Sequence, residues 1–311
     1  MHSLTDVARE RTALDAADLD WLIRLLAEWQ ILADVSFADL VLWVPDRADA
    51  GFWAAAHIRP TTGPTAIVDD VVDVFVAASA DARLRMAYHR GLISREGDPE
   101  WRDGVPVRVE AIPVRRQGRV IAVIARNTNL QGVRTPSRLE LAYLETASEL
   151  SRMIATGDFP HPQEHGDHAD LPRVGDGFIR VDADGVVSYT SPNALSVYRK
   201  LGLSGDLAGQ DLAEATRALV PAERRPDEET LSAVLGGRIS RDTELGNSGA
   251  TVAFRTIPLS LEGRHRGAAV LVRDVTELRR RDRELVTKDA TIREIHHRVK
   301  NNLQTVAALL R

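Results

Sequence analysis

Two adjacent histidines, His296 and His297, stand in the segment TIREIHHRVKNNLQTVAALLR (Thr291–Arg311), among charges and amides and ahead of an apolar tail. Neutral imidazole carries one unprotonated nitrogen and can act as a nucleophile. A carboxylate on its other nitrogen orients the ring and supports the positive charge that forms during attack. Residues three and four apart share a helix face, which sets Glu294, Lys300 and Asn301 beside His297. Glu294 then supplies the orienting carboxylate. Lys300 offsets the charge of an incoming phosphoryl group, and Asn301 orients a phosphoryl oxygen or a water. The same spacing also describes a solvated charged face with two incidental histidines, and spacing alone favours that reading.

The element that must position these residues is a long helix. Leu278, Asp282, Leu285, Asp289, Ile292, His296, Val299, Leu303, Val306 and Leu310 follow an unbroken heptad seam. At 1.5 Å per residue the seam runs about 48 Å. Its flanks are nearly all polar as far as the histidines. So narrow a stripe suits pairing with a second copy rather than a globular core. Asp282 and Asp289 weaken such a coiled coil and fix its register. His296 falls on the seam and His297 one residue off it, toward solvent, so His297 is the reachable nucleophile.

HHRVKNNLQ resembles the phosphoacceptor box of bacterial sensor histidine kinases, in the second HisKA type related to the HWE kinases. The resemblance spans about ten residues and reverses the balance against the incidental reading. It implies that the histidine directly before the arginine, His297, is phosphorylated, in agreement with the seam.

The chain has 311 residues, enough for about two domains. It is 44% hydrophobic and 27% charged with net charge −5, so nothing marks a general nucleic-acid binder. It contains no cysteine, which rules out disulfides, thiolate metal sites and a cysteine nucleophile. No apolar run approaches the roughly 20 residues that span a membrane, and MHSLTDVARER is not a signal peptide. A cytoplasmic protein is expected.

Residues 1–156 read as one domain. DAADLDWLIRLLAEWQILADVS has helical spacing, with Asp15 or Asp18 as N-cap. Phe37–Val44 and Gly51–Ile58 read as paired strands. VDDVVDVFVAAS suits helix or strand, and ARLRMAYHRGL suits a helix. VPVRVEAIPV and RVIAVIARN form a hairpin around RRQG, and SRLELAYLETASELSRMIA closes the domain as an amphipathic helix. EWQILADVSFADLVLWV and the RPTTGP loop resemble a GAF sensor domain of the kind found on these kinases. His57 and His89 read as isolated structural residues. Trp21, Trp29, Trp43 and Trp53 read as core or dimer-face residues, with one or two lining a pocket. The pocket's residues are not legible.

GDFPHPQEHGDHADLPR (157–173) reads as a linker, too rich in proline and charge for a core segment. His161, His165 and His168 lie near Asp167 and Asp170, but Pro160 and Pro162 remove the meaning of the spacing, and no metal site is expected. Residues 174–276 read as strand, strand, helices and three strands. DADGVVSYTSPNAL and the Asp274-Val275-Thr276 triplet resemble a PAS domain. That resemblance implies that Asp274 and Thr276 couple the last strand to the signalling helix; a strand end with an N-cap is the plainer and compatible reading. Phe178, Tyr189, Tyr198 and Phe254 are expected in the core. No haem or flavin motif is evident. Arg279, Arg280, Arg281 and Arg283 read as a solvated face.

The fold expected is α+β: two small antiparallel-sheet sensor domains, GAF-like then PAS-like, followed by a coiled-coil signalling helix at 277–311. The whole order resembles cytosolic sensor histidine kinases of the PdtaS type. It implies a homodimer that autophosphorylates from Mg-ATP and passes the phosphoryl group to an aspartate of a response regulator with an RNA-binding antiterminator domain. Kinases of this family continue into an ATP-binding domain not found in these residues, so the chain is expected to be the sensory part of a longer kinase and inactive alone. It is expected to hold no cofactor of its own, to take a small-molecule signal, and to contact neither membrane nor nucleic acid. The alternative is a non-catalytic GAF–PAS binding module that dimerises through its terminal coil.

Overall fold

The computed structural model describes residues 4–285, apart from 96, 103, 133–134 and 162–170, and beyond 285 only 288, 292 and 299. Two antiparallel sheets organise it. The first has six strands: β1 (Ala38–Pro45), β2 (Gly51–Ile58), β3 (Phe75–Ala77), β4 (Glu100–Arg102), β5 (Val105–Arg116) and β6 (Arg119–Asn129), in the order β3-β2-β1-β6-β5-β4. Five helices accompany it: α1 (Leu4–Arg11), α2 (Ala16–Glu28), α3 (Gln30–Ser36), α4 (Ala82–Arg90) and α5 (Arg138–Thr156). Period-two alternation splits this sheet into two apolar faces. Leu40, Leu42, Val44, Ile112, Val114 and Ile124 pack with α2, α3 and α5, while Val107, Val109, Ala111, Val123 and Ala125 pack with α4 on the other side.

Asp15 caps α2 through a capping box with Asp18 at the third helical position, so the choice between the two aspartates falls on Asp15. The single helix expected through residue 36 is broken at Trp29, which is buried in the turn between α2 and α3. Phe37, at φ 51°, ends α3 in the left-handed region and turns the chain into β1. Of VDDVVDVFVAAS only Phe75–Ala77 forms a strand, pairing with Gly51–Trp53.

The second sheet has the order β8-β7-β11-β10-β9, from β7 (Phe178–Val181), β8 (Val187–Thr190), β9 (Arg241–Gly246), β10 (Thr251–Leu261) and β11 (Arg264–Asp274). Helices α6 (Pro192–Lys200), α7 (Leu212–Leu219) and α8 (Glu228–Leu235) cover one face. Buried Tyr198 fills that core, its hydroxyl 2.8 Å from Thr216 Oγ1 and its ring edge-on to Phe254.

The other face of the second sheet meets the first domain, which the sequence reading did not anticipate. Phe178, Ile257, Leu259, Ala269 and Leu271 share one core with Tyr143, Ala147, Leu150, Met153 and Ile154 of α5. The expected amphipathic helix is therefore a wall between two sheets, with Leu141, Leu144 and Glu145 left exposed. Ser137 and Glu140 close a capping box at its start, and Gly157, at φ 89°, ends it. The aromatic rings of Phe37, Tyr143, Phe178 and Tyr189 form a row from one domain to the other, with centroids 5.7, 4.8 and 6.4 Å apart.

Two ion pairs cross the same interface. Arg180 Nη2 lies 2.7 Å from Glu149 Oε2, and Arg255 pairs with buried Glu28. The start of the presumed linker is also part of this core, contrary to expectation. Phe159 is buried among the shared apolar side chains, and His161 Nε2 lies 2.9 Å from Pro258 O. One large apolar ring outweighed the proline and charge around it, because burying a phenylalanine contributes about 1.5–3 kcal/mol.

Candidate functional site

A ninth helix, α9, begins at 276 directly after β11 and is described continuously to 285. Residues 288, 292 and 299 are helical further on. His296, His297, Glu294, Lys300 and Asn301 lie outside the described residues. Of the seam, Leu285, Ile292 and Val299 are 60, 52 and 49% exposed in the single chain. Among the described residues this apolar row stands open to solvent.

The junction that positions α9 is closely tied. Asp274 Oδ1 accepts from the Thr276 N–H at 2.9 Å and from its hydroxyl at 2.5 Å. Thr276 Oγ1 accepts in turn from the Thr251 N–H of β10 at 2.9 Å. Lys200, at the end of α6, donates to Asp274 Oδ2 at 2.7 Å. Burial works against the Asp274 charge, but Lys200 and Thr276 outweigh it and hold the carboxyl below its usual range. Asp274 thus gathers β11, α6 and α9 at one carboxylate. Arg279, read from sequence as solvated, instead sets its guanidinium against both carboxylate oxygens of Glu244 on β9, with Nε at 2.9 and 3.0 Å. It also reaches Asp282 at 3.0 Å. Arg280 stays exposed and pairs within the helix with Glu277. The glutamate on the neighbouring strand was not visible as a partner in the linear sequence.

The first domain holds a cavity of about 210 Å³ on the α4 side of its sheet. Val41, Trp43, Val109 and Ala125 form its floor, and the segment 66–71 forms its roof. Trp43 is the pocket-lining tryptophan, whereas Trp29 is core and Trp53 donates to Asp46 at 2.9 Å. Arg102 and Asn127 supply polar lining and bond each other at 3.0 Å. Burial lowers the Arg102 pKa, partly offset by Asp81.

Asp39 latches the roof to the floor, accepting from the Thr65 hydroxyl at 2.6 Å and from the Ala66 N–H. His57 Nε2 lies 3.3 Å from the same carboxylate, so His57 is partnered rather than isolated. Burial opposes the Asp39 charge, and these three partners together bring its pKa below the ordinary value. The RPTTGP loop is held by Asp34, whose Oδ1 accepts from Thr61 N at 2.7 Å, Thr61 Oγ1 at 3.0 Å and Gln30 at 2.9 Å. Burial nevertheless raises the Asp34 pKa. Neither Asp34 nor Asp39 was singled out in the sequence as holding these loops. Two aspartates flanking the start of a predicted strand were the available signal.

Among the described residues no group of three potential metal ligands occurs, and no helix is long and apolar enough to cross a membrane.

Comparison with known proteins agrees with this arrangement. A model for the GAF domain of histidine kinase PdtaS matches residues 4–147, a PAS-fold model matches 171–280, and a histidine kinase model matches 294–311. A solved structure of the sensor region of a sensor histidine kinase is 38% identical, with a TM-score of 0.75, over 90% of this chain and 100% of that one. The chain belongs to the sensor regions of sensor histidine kinases. It is 46% identical to the sensor histidine kinase PdtaS of Mycobacterium tuberculosis and 45% identical to that of Mycolicibacterium smegmatis. Each alignment takes in 100% of this chain and 63% of the relative's length. As a member of this family the chain is the sensory part of a histidine kinase.

Proposed function

We propose that the parent kinase is a homodimer that autophosphorylates on His297 and passes the phosphoryl group to a response-regulator aspartate. In the first step the bond from an imidazole nitrogen to the γ-phosphorus of Mg-ATP forms as the bond to the ADP oxygen breaks. Glu294 orients the imidazole, while Lys300 and Asn301 attend the phosphoryl oxygens. The reading rests on HHRVKNNLQ, which falls within the matched segment 294–311 and follows the helix that leaves the second domain. The exposed row Leu285, Ile292 and Val299 supports pairing of α9 with a second copy.

The signal is a small molecule held between Val41, Trp43, Arg102 and Asn127. At about 210 Å³ the cavity is smaller than the roughly 300–1,000 Å³ of drug-sized sites. Occupancy reaches α9 through α5, the second sheet and the Asp274–Thr276 junction. The kinase acts in the cytoplasm, and its response regulator carries an RNA-binding antiterminator domain. On this reading residues 1–311 serve the sensory role and do not autophosphorylate alone.

The test is to express the full reading frame, incubate it with γ-labelled ATP and assay acid-labile label in wild type and His297→Gln. Label confined to the wild type is expected. Label persisting in His297→Gln refutes the assignment. Absence of label in both, with a second copy still bound through α9, would favour a non-catalytic binding module.

A further inference from the structure

The face of the first sheet opposite the ligand cavity carries a second cleft, of about 280 Å³, between β5, β6 and α5. Residues 108 and 110 alternate with the buried Val107 and Val109, so they point away from the first cavity. Strand register then sets Arg108 opposite Thr128 and Glu110 opposite Arg126. An isolated bridge between Ser94 and Ala111 brings Arg95 to the same place. Three guanidiniums thus surround one carboxylate.

Glu110 is buried and pairs with both Arg95 and Arg126. Arg108 is exposed and makes no ion pair among the described residues. The local balance is an excess of two positive charges. Arg126 is only 17% exposed, so this excess is partly withdrawn from solvent screening. Burial lowers the Arg126 pKa, while Glu110 favours its cationic form and Arg95 opposes it. Thr128 and Ser148 line the same cleft and add hydroxyl donors.

We propose that this cleft binds a dianionic oxyanion of phosphate size, free or as the terminal group of a small phosphomonoester. Arginine forks match the tetrahedral oxygens, and two negative charges neutralise the excess. A monoanion leaves half of it uncompensated. Ser148 belongs to α5 and directly precedes Glu149, which pairs with Arg180 of the second sheet. The bound anion therefore joins the first sheet to the helix that both domains share, and constitutes an input separate from the Trp43 cavity.

The experiment is calorimetric titration of the 311-residue chain with inorganic phosphate, glycerol 3-phosphate and acetate, each at ionic strength matched with chloride. Saturable binding of phosphate or the ester with Kd on the order of 1 mM or tighter is expected, with acetate at least about tenfold weaker. Tighter binding of the ester identifies an esterified ligand, and tighter binding of phosphate a free ion. Arg108→Ala removes an exposed side chain without a structural bond. It is expected to keep the ligand-free Tm and to weaken the anion by about tenfold. Thr128→Val provides a second variant with the same direction. Equal responses to acetate and phosphate, no saturable binding, or unchanged affinity in both variants would overturn the proposal.

Discussion

Arg255→Met tests whether the two domains unfold as one body. The Glu28 and Arg255 side chains are 5 and 12% exposed where they meet, so methionine takes this cationic partner from a buried carboxylate. Removing one partner of a buried pair costs about 3–5 kcal/mol. Glu28 keeps a further interaction, so the lower end, about 3 kcal/mol, applies here. With a urea dependence near 3 kcal/mol per molar, that shifts the midpoint by about 1 M. All five tryptophans lie in the first domain, at or before residue 101. Fluorescence therefore follows that domain alone, while far-ultraviolet circular dichroism follows both. Wild type is expected to give coincident transitions by the two probes. Arg255→Met should separate them, with the shift in at least one. The double change Glu28→Gln with Arg255→Met strands no charge and should return to within about 1 kcal/mol of wild type. An unchanged midpoint and coincident transitions in Arg255→Met would refute the view that this pair helps lock the interface.

Two further outcomes follow from individual contacts. Thr276→Val strips the Thr251 N–H of its acceptor and should cost about 1–2 kcal/mol. Amide exchange of the 275–285 peptide should accelerate, and unchanged exchange would mean the junction does not hold α9. Asp39 has a native pKa below its ordinary value, so its contribution is complete above about pH 4 and is lost as pH falls through the native value. The Tm difference between wild type and Asp39→Asn should be constant from about pH 7 to 5 and shrink below about pH 4. A difference that persists undiminished at lower pH would remove the carboxylate as its source.

The parts legible in the sequence were those set by local period and by motif. The β5–β6 hairpin around Gln117 and Gly118, a cap at Asp15 or Asp18, helix α5 and the succession of strands and helices in the second domain all follow from alternation, turn chemistry and capping. The two sensor-domain likenesses rest on short stretches of sequence that the family comparisons support. What the sequence did not reveal depends on residues far apart in the chain. The break at Trp29 is a packing decision, since the helical pattern runs through it. Phe159 looked like part of a polar linker because its neighbours dominate the composition. Arg279 looked solvated because Glu244 lies 35 residues earlier. The cavity was not legible because Val41, Arg102 and Asn127 converge only once the strands are ordered. The phosphoacceptor residues were legible by motif alone and lie outside the described residues.

That α5 is covered by a sheet on each side has a consequence for synthesis. The side chains that cover its second face, from β10 and β11, leave the ribosome about 120 residues after the helix itself. At about 5–20 residues per second the interval is roughly 6–24 s. Throughout it the nascent chain carries a finished first sheet with the apolar flank of α5, including Met153, open to water. The first domain is thus a folding unit that is born incomplete, and chaperone dependence or aggregation of this chain should concentrate in that interval.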